Sequence, residues 1–417
     1  MSEWKKVKLK DCCISISDGD HLPPPKSNCG IPFITISNID STNHIDFGNT
    51  LFVPIDYYDR LDSIRKPQKD DILYSVVGSF GKPVLIKENK NFVFQRHIAI
   101  LRPNNEIADS RFLYYVMLTR DFYMQADSVA IGAAQRTVSL TSLRNMTVEL
   151  PCLSTQYRIA TILSRYDTLI ENYQKQIKLL EEAAQRLYKE WFVELRFPGY
   201  ENIKIVDGLP EGWERKKLGE LVEFKRGKTI TKKEAIEGNI PVVAGGLEPA
   251  YYCDKSNTTD RVITISGSGA NAGFTKMYFE KVWASDCSYA DTSATQYLHF
   301  VFCFLRENKT VIDNMQKGAA QPHVYAKDIN SLEALLPTKE ILNSFEIKAS
   351  KTFDNIASLQ TQIRLLTEAR DRLLPRLMGG EMEVDGLKGQ RANSPEHRSG
   401  RNEENEQMTN APKGQKH

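Results

Sequence analysis

Apolar residues change their spacing twice along this chain of 417 residues. Short β-branched and aromatic runs come first: PFITISNI from Pro32, DILYSVV from Asp71, FVFQRHIAIL from Phe92 and MTVEL from Met146. Clusters of Gly, Pro, Asn and Asp separate them, which is the pattern of short strands. After Pro151 the period lengthens. Ile159, Ile162, Tyr166, Leu169, Tyr173, Ile177, Leu180, Ala184, Leu187 and Trp191 recur at steps of three and four between charged residues, an apolar seam on a long helix. The order then repeats, with IPVV from Ile240, RVITIS from Arg261 and KVWAS from Lys281. A second seam follows through Leu342, Phe345, Ala349, Ile356, Leu359, Ile363, Leu366, Leu373 and Leu377. Residues 112–125 and 298–315 are each long and apolar enough to form a helix packed on its sheet. A lone seamed helix would leave its seam wet, so the two long helices are predicted to pair; the alternative lays each on its own globular core. At 1.5 Å per residue, Ser154 to Phe192 spans about 55 to 60 Å.

The repetition is literal in places. GAAQRTVSLTSLRNMTVELP at 132–151 aligns without gaps on GAAQPHVYAKDINSLEALLP at 318–337, an offset of 186. QKQIKLLEEAAQRL from Gln174 matches QTQIRLLTEARDRL from Gln360 at the same offset. Upstream, Trp4 pairs with Trp213 at an offset of 209, and DILYSVVGSFGK from Asp71 resembles DRVITISGSGANAG from Asp260. The first half therefore carries 209 less 186, or 23, more residues before its GAAQ loop. Each half reads as a mixed α/β region followed by a helical one. From Lys388 onward large apolar residues nearly vanish, which predicts a disordered tail.

Composition narrows the function. The length allows two to four domains, and 41% hydrophobic residues with a mean hydropathy of −0.42 give soluble cores and exclude wholesale disorder. Lys and Arg number 55 against 53 Asp and Glu, so no bulk positive field draws nucleic acid, and any such partner has to be met at local sites. No run of eighteen apolar residues occurs, and MSEWKKVKLKDCC lacks the apolar stretch of a signal peptide, which reads as cytoplasmic with no membrane association. Seven cysteines without CxxC spacing predict free thiols and no metal site. Catalytic patterns are missing. The only Pro run, HLPPPK at 21–26, lacks the preceding Asn or Asp and the following aromatic of an adenine methyltransferase loop. RGKT at 226–229 has Val222 where a phosphate loop needs its first Gly. His21, His44, His97, His299 and His323 show no HExxH spacing, and no GxSxG elbow is present. The chain reads as non-catalytic.

Recognition candidates remain. The repeated GAAQ loops offer Gln135 and Gln321, whose paired donor and acceptor suit an adenine edge or a phosphate, followed by Arg136 and His323. Gly-rich turns at 76–82 and 266–276 supply Ser79, Lys82, Ser268, Asn271 and Lys276 as phosphate contacts. QRH at 95–97 adds Arg96 and His97 inside an apolar strand. Each has a plainer reading: a tight turn whose Gln caps a strand, a common Gly turn, or a hairpin edge.

Four segments in this order carry a resemblance: LPEGWERKKLGE at 209–220, the two GAAQ-to-Pro segments, RLYKEWFVELRFPGY at 186–200 and RLLPRLMGGEMEV at 372–384. From Trp4 to Val384 the chain resembles the specificity subunit of type I restriction-modification systems. The resemblance implies an α+β fold, with two α/β target-recognition domains in a pseudo-two-fold repeat separated by two long helices that form an antiparallel coiled coil. The corresponding boundaries are 1–151 and 201–337 for the recognition domains, 152–200 and 338–384 for the central and C-terminal conserved helical regions, and 385–417 for the tail. It further implies a bipartite DNA target, host defence, and partners comprising double-stranded DNA, two modification (methyltransferase) subunits and restriction (endonuclease/translocase) subunits. S-adenosylmethionine, ATP and Mg would be bound by those partners, and none by this chain. One departure is that no LPEG precedes Trp4, which predicts weaker packing at the start of the first domain. Two other classes stay open on the residues alone: a divergent DNA methyltransferase, and a coiled-coil scaffold without DNA readout.

Overall fold

The computed structural model describes residues 4–20, 24–40, 42–133, 135–317 and 322–382. Gln321 and the predicted tail lie outside them. The chain divides into two compact units, Met1–Ile162 with the segment from Arg376 onward, and Leu163–Pro375.

Each unit contains the same three pieces of sheet. In the first, Cys13–Asp18, Ile98–Pro103, Ile72–Ser75 and Pro83–Leu85 form an antiparallel sheet in that order. Leu51–Val53, Ile31–Ile34 and Val93–Phe94 form a second, with the last pair parallel. Lys5–Lys8 pairs with Thr147–Leu150. The second unit repeats this plan. Its four-stranded sheet runs Lys225–Arg226, Cys287–Asp291, Val262–Ser266, Thr275–Tyr278; its three-stranded sheet runs Tyr251–Cys253, Ile240–Val243, Trp283–Ala284; and Glu214–Lys217 pairs with Glu333–Leu336.

The sequence offsets are obeyed in the pairing. Lys5 faces Leu150 as Glu214 faces Leu336, at offsets of 209 and 186. Ile34 and Val243 accept equivalent bonds from Gln95 and Ser285, still at 209, whereas Ser75 and Ser266 stand at 191. Eighteen of the 23 extra residues, 209 less 191, thus fall between Ile34 and Ser75, where the first unit holds the helix Ile55–Arg60 and the turn Ser63–Arg65. At the start of the first unit all four residues of Lys5–Lys8 are paired; Trp213 is buried and Trp4 is half-buried.

Three local expectations are corrected. Residues 112–125 do not form one helix: Ser110–Met117 ends and Arg120–Val129 begins at Thr119, whose hydroxyl accepts from the Phe122 amide at 3.3 Å and donates to the Val116 carbonyl at 2.7 Å. Residues 298–315 break into Leu298–Glu307 and Lys309–Asn314 at Asn308, whose amide donates to the Phe304 carbonyl at 2.9 Å. FVFQRHIAIL is two strands joined by a turn at Gln95, Arg96 and His97.

The long helices are Leu153–Tyr188 and Lys339–Met378. Inside the second unit they run antiparallel, as expected: Asp167 pairs with Arg370 at 2.7 Å, and the Tyr188 ring meets Phe345 with centroids 6.1 Å apart. The seam differs in detail. Leu169 is 41% exposed, while Leu163, Ile170 and Phe353, which the stepwise spacing passed over, are buried. A wider, π-type turn at Lys189–Val193 buries the adjacent Trp191 and Phe192 together. Those rings, with Phe345 and Phe353, close over Leu298–Glu307, a helix buried from Leu298 to Leu305, where only His299 is polar.

A helix buried this way needs its first amides satisfied. Glu346 does so: its carboxylate accepts from the amides of His299 (3.1 Å) and Phe300 (3.2 Å) and from the His299 imidazole (Nδ1, 2.7 Å). The other imidazole nitrogen lies 3.1 Å from Arg261, which also donates to Asp354 at 2.6 Å. The first unit performs the same docking with a neutral group. Gln156, 1% exposed, accepts from the Asp109 amide and donates to the carbonyls of Ile107 and Pro151.

Phe345→Ala should lower unfolding free energy by about 3 to 5 kcal/mol, while Leu365→Ala, at a residue 53% exposed, should change it by roughly 0.5 kcal/mol or less; urea denaturation measures both. Cys152, exposed just before the first long helix, lies 3.2 and 3.3 Å from the hydroxyls of Ser154 and Thr155, which bring its thiol down to about 7. Iodoacetamide at pH 7.5 should label Cys152 before the buried Cys12, Cys253, Cys287 and Cys303, with its rate rising as pH increases through about 7 and the thiolate forms.

Candidate nucleic-acid interface

The three candidate clusters of the first half meet in space, and so do the described parts of the two in the second. In the first unit the Gly-rich turn lies along the segment that follows the GAAQ loop: Val77 bridges Thr137, the Gly78 amide donates to the Arg136 carbonyl (2.9 Å), and the Val138 amide to that of Val76 (2.8 Å). The Val76 amide donates to the His97 carbonyl (2.9 Å), which adds the Gln95–His97 turn. Ile131 and Thr137 exchange both main-chain bonds and close the GAAQ loop. The second unit has the same clasp. Ser268 bridges His323, Gly269 donates to Pro322 (3.1 Å), Val324 to Gly267 (3.1 Å), Gly267 to Asp286 (3.2 Å), and Lys317 and His323 exchange both bonds. The first glycine of the GAAQ loop is demanded by this closure. Gly132 has a φ of 111°, and a Cβ there would lie 2.6 Å from the Gln135 carbonyl oxygen.

Side chains project from this frame in different ways. Gln135 is exposed, with its amide nitrogen 3.6 Å from where a Cβ on Gly78 would stand, and the bonds of the turn run through its main chain. Ser79 and Arg96 are exposed, and Lys82 is half-buried with its amide held by the Ser75 hydroxyl (2.9 Å). His97 packs against the Gln95 amide; burial first, and the neighbouring Arg96 second, push its imidazole below the ordinary value. Arg136 is half-exposed. It bonds Asp127 and stands 5.5 Å over the Phe80 ring, which stacks on Tyr123.

In the second unit Ser268 donates to the Asp286 carboxylate, and Asn271 lies 3.5 Å from the Gly245 carbonyl. Lys276 donates to the Leu247 carbonyl at 3.3 Å and sits 5.0 Å over the Tyr278 ring. His323 stacks on Tyr325 with centroids 5.9 Å apart.

Several residues of the two surfaces escaped motif reading. Asp286 occupies the place of His97 in the repeat, its carbonyl accepting from Gly267 as that of His97 does from Val76; 286 less 97 is 189, so neither sequence offset leads to it and only the pairing does. Asp20 bridges Gln95 and takes bonds from Tyr57 (3.0 Å) and Arg65 (3.3 Å), all within or beside the segment that only the first half carries. The Gly of RGKT has a packing role. A Cβ on Gly227 would lie 2.3 Å from the Ser285 carbonyl oxygen, as one on Gly19 would from that of Phe94.

The arrangement suits recognition. A main-chain framework fixes the path of three loops, and hydroxyl, amide, imidazole and cationic groups stand on it at positions the framework does not depend on. Among the described residues no group of three or more His, Cys, Asp or Glu is placed to hold a metal, and no helix is long and apolar enough to cross a membrane.

Comparison with known proteins agrees. The family model for the type I restriction modification DNA specificity domain matches residues 1–182 and again 210–367. The MjaIX specificity subunit of Methanocaldococcus jannaschii is 28% identical over 305 residues, 67% of this chain and 70% of that protein. The HindI specificity subunit of Haemophilus influenzae is 23% identical over 480 residues, 92% of this chain and all of that one. A crystal structure of the S subunit of a type I system from M. genitalium shares the fold with a TM-score of 0.55 at 18% identity, covering 90% of this chain and 96% of that one. With the domain matched twice, in step with the repeated sheets, the chain belongs to the family of type I restriction-modification specificity subunits, the non-catalytic recognition component of those enzymes.

Proposed function

We propose that this subunit reads a DNA target in two specified parts, one with the loop surface of each unit, and directs adenine methylation and ATP-dependent cleavage carried out by partner subunits. The observation that carries this is the clasp built twice in one register, from Val77 and Thr137 and from Ser268 and His323. Two modification subunits and restriction subunits would supply the chemistry, with S-adenosylmethionine, ATP and Mg bound to them, and the complex would act in the cytoplasm. Residues 1–150 hold 18 basic and 17 acidic side chains, so phosphate attraction by the isolated chain is modest, and tight binding is expected of the complex.

Mapping methylated adenines in cells expressing this subunit with its modification partner tests the reading; the expected target is split by unspecified bases, and a continuous target would contradict it. Four residues inserted near Gln174 lengthen a helix by about 6 Å. Against a rise of about 3.4 Å per base pair, the spacer should grow by one or two positions with both specified parts unchanged. Gln135→Ala should weaken specific binding by the complex by roughly 1 to 3 kcal/mol and leave the melting temperature nearly unchanged, as binding isotherms and thermal denaturation will show.

A further inference from the structure

The two loop surfaces share a frame and differ in the chemistry they carry. After the clasp residue the chain is extended, and the next side chain points into the core: Val138 in the first unit and Val324 in the second are both buried. The flanking side chains therefore share the opposite face. In the first unit these are Thr137 and Ser139; in the second they are His323 and Tyr325. The aromatic pair lies nearly parallel, 11° between ring planes, and Tyr325 is 42% exposed with the Lys327 ammonium 5.8 Å from its ring centre.

Folding does not account for that ring. Tyr325 starts the short helix Ala326–Asn330 through its carbonyl, which accepts from Asp328 at 3.0 Å and Ile329 at 3.2 Å, a task any residue performs. The charges around it do not make a phosphate site either. Asp286 places a carboxylate on the same surface, and Lys276 is engaged by the Leu247 carbonyl. An exposed aromatic face beside a clasped loop suits an apolar group at a base edge, and in the major groove the base that presents one is thymine, through its 5-methyl group.

We propose that Tyr325, backed by His323, is a specificity-determining residue of the second unit and packs against the 5-methyl group of a thymine in that unit's part of the target. The proposal rests on the two-part reading above. Its test uses the full chain assembled with its modification subunits and duplexes of the mapped target in which each thymidine is replaced, one at a time, by deoxyuridine, which lacks only that methyl.

For the unaltered chain, one substitution in one part of the target should weaken binding roughly fourfold, the worth of one buried methyl group. Tyr325→Ser, which copies the first unit's Ser139, should weaken binding to the thymidine duplex by a similar factor and abolish the response to deoxyuridine. Tyr325→Phe should retain both. No response to deoxyuridine at any position overturns the proposal, as does a response unchanged in Tyr325→Ser, or a Tyr325→Phe loss equal to that of Tyr325→Ser, which would place the contact at the hydroxyl. The deoxyuridine series on the unaltered chain can overturn the proposal even where Tyr325→Ser fails to fold, and Tyr325→Phe, which keeps the ring, then carries the comparison at the hydroxyl. Methylation mapping separates the two levels: a continuous target removes the functional reading and this inference together, whereas a split target with no methyl-sensitive thymine removes the inference alone.

Discussion

The two candidate loop surfaces depend on main-chain hydrogen bonds between segments remote in sequence. Val76 and Gly78 are joined to Val138 and Arg136, and Gly267 and Gly269 to Val324 and Pro322, by bonds that use no side chain. Each is worth only about 1 kcal/mol net, but an unpaired buried amide would cost more, so the set holds as a unit. Because the framework is backbone, the exposed residues on it can change without disturbing the loops. A hydroxyl at Thr137 and another at Ser139, which caps Leu140–Asn145 through the Ser142 amide (3.0 Å), stand where an imidazole and a phenol stand at His323 and Tyr325, and the path of the chain is the same.

The units meet their own long-helix segments by different chemistry. Gln156 satisfies three main-chain groups with one neutral amide. Glu346 carries a charge into a largely buried position, which costs desolvation unless every acceptor site is used. Two helix-end amides and the His299 imidazole supply those bonds, and Arg261 and Asp354 extend the network to the strand Val262–Ser266 that leads into the Gly-rich turn. The start of that strand and the long helix Lys339–Met378 are thus tied through one connected set of polar contacts.

Much of this was legible before the structure. Gap-free offsets of 186 and 209 recur in the pairing of Ile131 with Thr137 and Lys317 with His323, and of Lys5 with Leu150 and Glu214 with Leu336, because a repeat must preserve its hydrogen-bond register to preserve its fold. The seam was read less well. Steps of three and four admit neighbouring lines on one helix, and the partner surface, which buries Ile170 and Phe353 and leaves Leu169 exposed, chooses between them. Helix breaks at Thr119 and Asn308 escaped an apolar pattern that runs straight through a polar cap. The meeting of the Gly-rich turn, the Gln95–His97 turn and the GAAQ segment had no local signal at all, since it is made of long-range main-chain contacts. Arg136 pairs with Asp127 beside the Phe80 ring, a choice of rotamer that sequence does not record.

Hydrogen–deuterium exchange of the assembled complex, with and without its target duplex, tests most directly whether these clasped loops are the DNA-reading surfaces. The account predicts slowed exchange on DNA binding in residues 76–82, 95–97 and 135–138 of the first unit and in 267–276, 285–286 and 322–325 of the second. Protection confined to other faces, with both sets of loops exchanging as in the free complex, would contradict it.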